Sequence, residues 1–578
     1  KAQDDVHGWA ERLVCLVPSP PLAWPPGSSE WRKMPAVAPP PSRLATAGLQ
    51  HTALPHQARA GAAVQPCHRA APRSGIAGAR RLCKPGLEPS VVATGVVAAA
   101  ATLVGRIGPT RRRRLRRRVE ARCRAVSLAS PELDSARRDV DPGAPLADLV
   151  RQDFPALQAE AHAGVPLVYL DSAATAQKPR VVLQALTHYY ESSANVHRGA
   201  HALAERATEA FEAARGSVAR LIGAASPREV IFTSGATDAI NLVAASWGGA
   251  NLGPGDEVVL TVMEHHSNIV PWQLLAQRVG AVVKYARITE GGVLDVEHLE
   301  SLLTRRTKLV AFTHVSNALG CINPVSRVAA AAHKVGALVL LDACQSVPHL
   351  PIDVGSLGVD WIVASGHKMC APTGVGFLWG REDLLQQMPP WKGGGEMIQE
   401  VTLDGSTYAD VPARFEAGTP PIAQAVGLGA ACEYLMHVGM ENIAAYERQL
   451  AGHLWDSLAS VEGLRLYGPP PDMADRAALV AFNDTQEDVY AADIALLVDS
   501  DGYAIRAGHH CAQPLHRALG AAYGSARASL SFYNTHEDID GFVKSLRENL
   551  EMLRSGEGCV FDPDNPDSCF CSSDRMRS

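Results

Sequence analysis

The sequence predicts an α/β protein, with a doubly wound, mostly parallel sheet in a large domain and a smaller α+β domain after it. Three observations carry this. Short apolar runs recur and end abruptly in polar residues or glycine, as buried strands of a parallel sheet do. Helix-length segments separate those runs, and repeated βα units fold with helices on both faces of the sheet. Beyond Lys368 the alternation loosens into longer helices and shorter strands, which marks a second unit.

Taken in order, residues 149–162 read as a helix leading to a strand at 166–170. Asp171-Ser172-Ala173-Ala174 follows as a turn of small residues that lets a ligand approach closely. Residues 181–192 form a helix, Asn195-Val196-His197-Arg198-Gly199 a polar loop, and 202–222 a long helix. Residues 230–232 are a strand, and Thr233-Ser234-Gly235-Ala236-Thr237-Asp238 opens a helix over 239–245. A strand, a glycine turn and a helix start make an anion site; a plain N-cap by Thr237 or Ser234 gives the same pattern. The strand at 257–262 ends in Met263-Glu264-His265-His266. Adjacent histidines in extended chain point to opposite faces, so no metal site is predicted. The strand at 308–312 ends in Thr313-His314-Val315-Ser316-Asn317. Helices at 421–438 and 440–458 precede the second domain's strands, among them the segments around Arg506 and Arg527.

One stretch organises the rest. Ala337-Leu338-Val339-Leu340-Leu341 ends in Asp342, and Trp361-Ile362-Val363-Ala364 ends in Ser365-Gly366-His367-Lys368. In open α/β sheets chemistry sits past the carboxyl ends of the strands. An acid at one strand end and a lysine at the next suit pyridoxal phosphate, which needs a lysine to carry it and an acid against its ring nitrogen. An ordinary strand-end ion pair would look the same.

The chain has 578 residues, 47% of them hydrophobic and 20% charged, as in a globular protein. A net charge of −6 gives no sign of nucleic-acid binding. Residues 34–118 hold one acidic residue, Glu88, among many arginines, which is the composition of an organelle-targeting segment. The chain begins at Lys1, and Met34 is a candidate initiator. The apolar run at 91–104 is short of the roughly 20 residues of a membrane span, so no stable insertion of the mature protein is expected. The expected organisation is a presequence over 1–140, a large domain over 141–420 whose residues 141–165 pack with the small domain, the small domain over 421–553, and an unstructured tail over 554–578. The twelve cysteines show no framework spacing and read as reduced.

Six motifs then stand in one order: Tyr169-Leu170-Asp171-Ser172-Ala173-Ala174, Asn195-Val196-His197-Arg198-Gly199, Met263-Glu264-His265-His266, Ser365-Gly366-His367-Lys368, Phe415-Glu416-Ala417-Gly418-Thr419-Pro420 and Arg506-Ala507-Gly508-His509-His510-Cys511. Together they resemble the class V, fold-type I pyridoxal-phosphate enzymes, and within these the group II (SufS/NifS-like) cysteine desulfurases. The resemblance spans about residues 146–553.

It implies pyridoxal 5′-phosphate carried by Lys368, which also moves the substrate's Cα proton. Asp342 would pair with the ring nitrogen, Gln345 would contact the ring oxygen, and His265 would stack on the ring and act as an acid–base group in catalysis. Ala236, Thr237, Ser365 and His367 would bind the phosphate, and Thr419 would reach the cofactor of the other subunit in a homodimer. Arg506, Arg527 and Asn317 would hold the carboxylate of L-cysteine, with Ala173 and His197 bordering the cleft. Cys511 would take the sulfur as a persulfide and release alanine. The resemblance further implies sulfur supply for iron–sulfur cluster assembly, a SufE-like acceptor, and a plastid stroma rather than a mitochondrion. Selenocysteine lyase, kynureninase-like hydrolase and aminotransferase are the alternatives on the same scaffold. The chain departs from the family pattern at Cys321, Cys344 and Cys370 and at Ser234-Gly235-Ala236; the cysteines bring extra thiols near the site.

Overall fold

The computed structural model describes residues 145–555 except residue 487, and the strands Val560–Phe561 and Cys569–Phe570. The presequence expected over 1–140 lies outside the described residues, as does most of the expected tail. Within that tail the two described strands pair antiparallel. Among the described residues no helix is long and apolar enough to cross a membrane.

The central sheet has seven strands: β1 (Val230–Thr233), β2 (Glu257–Thr261), β3 (Val282–Ala286), β4 (Thr307–Thr313), β5 (Leu338–Asp342), β6 (Trp361–Ser365) and β7 (Gly376–Gly380). Their order is β1-β7-β6-β5-β4-β2-β3. β7 alone runs against its neighbours β1 and β6; the others are parallel.

The apolar runs are continuous because both faces are covered. Along β5, Val339 and Leu341 join one hydrophobic cluster while Leu340 joins the other, and all three are fully buried. Truncating Leu340 to alanine would cost about 2–5 kcal/mol. Helices α1 (Arg180–Glu191), α2 (Ala202–Leu221), α3 (Ala236–Val243), α4 (Val270–Val279) and α5 (Val325–Lys334) supply the flanking layers. The helix α6 (Ile422–Val438), expected to open the small domain, lies along α1 and α2. A side chain at Gly429 would meet Ala214 Cα at 2.7 Å, so only glycine permits this close crossing.

A second sheet follows, with β8 (Leu464–Tyr467), β9 (Leu479–Asp484), β10 (Arg506–Gly508) and β11 (Ser525–Ser529) in the order β8-β9-β11-β10, all antiparallel. It carries α7 (Met440–Ala459), α8 (Ala491–Ser500), the short α9 (Gln513–Ala518) and α10 (His536–Arg554).

The expected helix over 149–162 is not there. Leu146–Val150 is one turn and a half of helix, two 3₁₀ turns follow, and Glu160–His162 is a strand. Pro155 starts the second 3₁₀ turn; its fixed φ and missing N–H interrupt the helical ladder. This segment rests on the small domain: the Phe154 ring lies 4.7 Å from that of Tyr533, and Arg151 pairs with Asp538 at 2.6 Å.

Candidate active site

The carboxyl ends of the parallel strands and the edge of the second sheet enclose a cavity of about 230 Å³. Ala173, Ala236, Thr237, His265, Asn317, Asp342, Gln345, Ser365, His367, Lys368, Arg506, Cys511 and Arg527 all line it. Two expected site residues do not. His197 is held outside between two carboxylates, Glu212 at 3.0 Å and Glu396 at 3.1 Å. Thr419 is exposed on the surface. Its loop is fixed by Glu416, which accepts two bonds from buried Arg215, at 2.6 and 2.9 Å, and one from the Phe232 N–H.

Asp342 ends β5 and is buried; its Oδ1 accepts from the Cys344 N–H at 3.0 Å. Lys368 closes the 3₁₀ turn Gly366–Lys368 that follows β6, the neighbouring strand. That turn is tied to the chain after Ala173, because the His367 carbonyl accepts from the Ala176 N–H and the Thr175 hydroxyl. Gln345 donates to the Ala173 carbonyl at 2.7 Å. Acid, amine and the small-residue turn thus line one cavity, with acid and amine at adjacent strand ends.

α3 begins inside the cavity at Ala236, three residues earlier than expected. Gly235 precedes it at φ +153° and has no side chain with which to cap it. The Ala236 N–H reaches Ser365 Oγ at 2.9 Å, and the Thr237 and Ser267 hydroxyls bond at 2.7 Å. A helix start flanked by hydroxyls suits an anion.

His265 accepts from the Ser267 N–H through Nδ1 at 3.1 Å, and burial beside Lys368 holds it down to about 4, so it is neutral near pH 7. Below it, buried Glu264 bonds to Thr261 and to Asn268, which in turn bonds to Trp272. Burial raises Glu264 to about 8.

On the small-domain side, buried Arg527 donates to the Asn317 carbonyl at 2.9 Å and to Asp171 at 2.8 Å, while its Nε has no partner among the described residues. Arg506 is its register partner on the adjacent strand. Two guanidiniums side by side suit a carboxylate.

Cys511 is a free, half-buried thiol. It and His510 are in the left-handed region, φ +57° and +51°, which costs about 1 kcal/mol or more each and persists only where the surroundings hold it. The neighbouring histidines have determinable tautomers. His516 Nδ1 faces the Ala512 carbonyl and must donate; burial keeps this ring from taking a second proton, so its Nε2 accepts from Ser525. Ser525 Oγ then accepts from His510 Nε2. Burial near Arg527 holds His510 down to about 2, so its Nδ1 is an unprotonated acceptor with no partner in the described structure.

The extra thiols are quiet. Burial pushes Cys321 and Cys370 up to about 12, and burial beside Asp342 pushes Cys344, which lines the cavity, higher still. Thr313, Ser267, Asp171 and Glu264 were given no site role from sequence. Thr313 ends β4 at the cavity, so the strand-end rule that marked Asp342 would have found it.

A model of the aminotransferase class-V family matches residues 168–542. A probable cysteine desulfurase of Synechocystis sp. is 58% identical over 416 residues, covering 72% of this chain and 98% of that protein. A cysteine desulfurase of Haloferax volcanii is 47% identical over 419 residues, covering 70% and 97%. Among solved structures, the Escherichia coli cysteine desulfurase CsdA, in its S-sulfonic acid form, aligns with a TM-score of 0.65 at 39% identity, over 71% of this chain and 99% of that one. With a match over most of the described residues and relatives this similar along nearly their whole length, the chain belongs to the class-V aminotransferase family.

Proposed function

We propose that this chain is a pyridoxal-phosphate-dependent cysteine desulfurase that converts L-cysteine to L-alanine and keeps the sulfur as a persulfide on Cys511. One observation carries this: a free thiol lies in the same cavity as Lys368, Asp342 and the Arg506–Arg527 pair. Hydrolysis or amino-group transfer on the same scaffold needs no such thiol.

The residues fit the cofactor. Asp342 offers a buried carboxyl for the ring nitrogen, and Lys368 offers the amine one strand away. Ala236, Thr237, Ser365 and His367 surround a helix start suited to its phosphate. Gln345 and His265 would take the ring's oxygen and face. When bound, the cofactor supplies the electron sink that lets the substrate's Cα proton leave.

The chain's own residues do the rest. Arg506, Arg527 and Asn317 orient the substrate carboxylate. Lys368 Nζ moves the proton at Cα. Cys511, as thiolate, bonds to the substrate sulfur while the substrate C–S bond breaks; the electron pair stays with carbon, which takes up a proton. The sum is L-cysteine plus the Cys511 thiol giving L-alanine plus the Cys511 persulfide. A thiolate is the competent nucleophile.

The finer reading is a group II, Suf-type enzyme that supplies iron–sulfur cluster assembly through a SufE-like acceptor. It is supported by the placement of Cys511 on a short segment that runs directly into α9, whose first turn carries Pro514. Such a segment is stiff, which favours a partner that inserts its own cysteine. A homodimer is supported by Thr419, which stands outside its own cavity where a neighbour's cofactor could meet it. The acid-poor segment over 34–118 supports a plastid stroma, with the mitochondrion as the alternative; imaging a full-length fusion tests this, and a cytosolic signal would contradict it.

Product analysis with L-cysteine and a reducing thiol tests the activity. Equal amounts of alanine and sulfide are expected. Pyruvate with ammonia, or no alanine, would contradict it.

A further inference from the structure

We infer that His266 is the positioning residue that holds Cys511 in register with the cavity. The inference rests on Cys511 being the sulfur-accepting thiol. The His266 backbone N–H donates to the Cys511 carbonyl at 2.7 Å, and its ring Nε2 accepts from the Gln513 N–H at 3.1 Å. One residue in the turn beyond β2 therefore grips the small-domain chain at Cys511 and again two positions on.

The thiol segment needs such a hold. His510 and Cys511 both occupy the left-handed region, which side chains other than glycine adopt only when neighbours fix them. Asn317 adds a further hold from the large domain, its Nδ2 donating to the His510 carbonyl at 2.8 Å.

His266 is itself well placed to set a position. It opens the 3₁₀ turn His266–Asn268, which is anchored underneath by Asn268 between Glu264 at 2.7 Å and Trp272 at 2.9 Å. The same turn carries His265 immediately before it. The cavity-facing ring and the thiol are thus referenced to one buried anchor, although they reach the cavity from different domains. For Nε2 to accept, the ring must be neutral, and burial together with nearby His509 lowers its affinity for a proton.

The test uses the holoenzyme and the variants His266→Ala, His266→Gln and His266→Asn. The glutamine amide oxygen reaches as far as Nε2; the asparagine oxygen falls one bond short. Two rates are read: the first-turnover burst of alanine from L-cysteine, which needs Cys511, and exchange of the Cα hydrogen of L-alanine with deuterated solvent, which needs Lys368 but not Cys511. Alkylation of Cys511 by iodoacetamide is followed alongside. His266→Ala and His266→Asn should slow the burst roughly tenfold or more, with exchange within about twofold of the parent and altered Cys511 alkylation. His266→Gln should restore the burst to within about threefold. Should the alanine variant not fold, the contrast between glutamine and asparagine decides. Equal bursts in those two, or burst and exchange falling together, would overturn the inference. Absence of a burst in the parent enzyme would instead refute the desulfurase reading.

Discussion

Arg506 and Arg527 stand directly opposite one another on the antiparallel strands β10 and β11. Like charges so placed repel, by about 0.2–1 kcal/mol, and Arg527 is buried as well. Asp171 offsets part of this charge, and a bound carboxylate would offset more.

Arg506→Met should therefore separate binding from stability. Loss of a charge-assisted hydrogen bond of about 1.5–3 kcal/mol should raise KM for L-cysteine about tenfold or more. Thermal stability of the variant should be unchanged or slightly higher. Steady-state kinetics and a melting curve check both, and an unchanged KM would remove Arg506 from the substrate site.

Lys368→Ala should abolish turnover and the absorbance band of the lysine-linked cofactor. Borohydride treatment should then fix no cofactor to the chain. Cofactor fixed to the variant would mean that another lysine carries it.

Glu264 gives a pH signature. Burial raises it to about 8 from an ordinary value of 4.5. Between those values the folded state holds a proton that the unfolded state has lost, so this group lowers stability as pH rises through the window. The slope from one such group is at most about 1.4 kcal/mol per pH unit. Denaturant unfolding from pH 5.5 to 8 should show the parent losing stability relative to Glu264→Gln. Parallel curves would show that Glu264 is already ionised in the fold.

The strand-end acid and lysine were legible because β5 and β6 are buried on both faces, so their apolar runs stop where the cavity starts. The register that sets Arg506 against Arg527 was not legible, because it depends on pairing strands from two segments. Nor was the left-handed backbone at His510 and Cys511, which nothing in those residue types demands. Residues 149–162 misled for a local reason, since Pro155 breaks a pattern whose spacing looks helical. His197 and Thr419 were placed by motif, and neither lines the cavity of this chain; His197 is claimed by Glu212 and Glu396.

The stiff setting of Cys511 predicts the kinetics of sulfur release. With L-cysteine alone, rapid quenching should show a burst of about one alanine per active site and then slow turnover. A SufE-like acceptor, or less specifically a small reducing thiol, should relieve the slow phase without changing the burst. A linear time course that no acceptor alters would show that emptying the persulfide is not limiting.

The most direct measurement is the location of the sulfur after one turnover. The holoenzyme is mixed with L-cysteine, quenched under alkylating conditions, digested and analysed by mass spectrometry, with Cys511→Ser in parallel. One added sulfur on the Cys511 peptide is expected, matched by alanine, and no alanine burst is expected from a Cys511→Ser variant that still binds cofactor. Added sulfur on Cys344 instead, or an undiminished burst from Cys511→Ser, would contradict the mechanism.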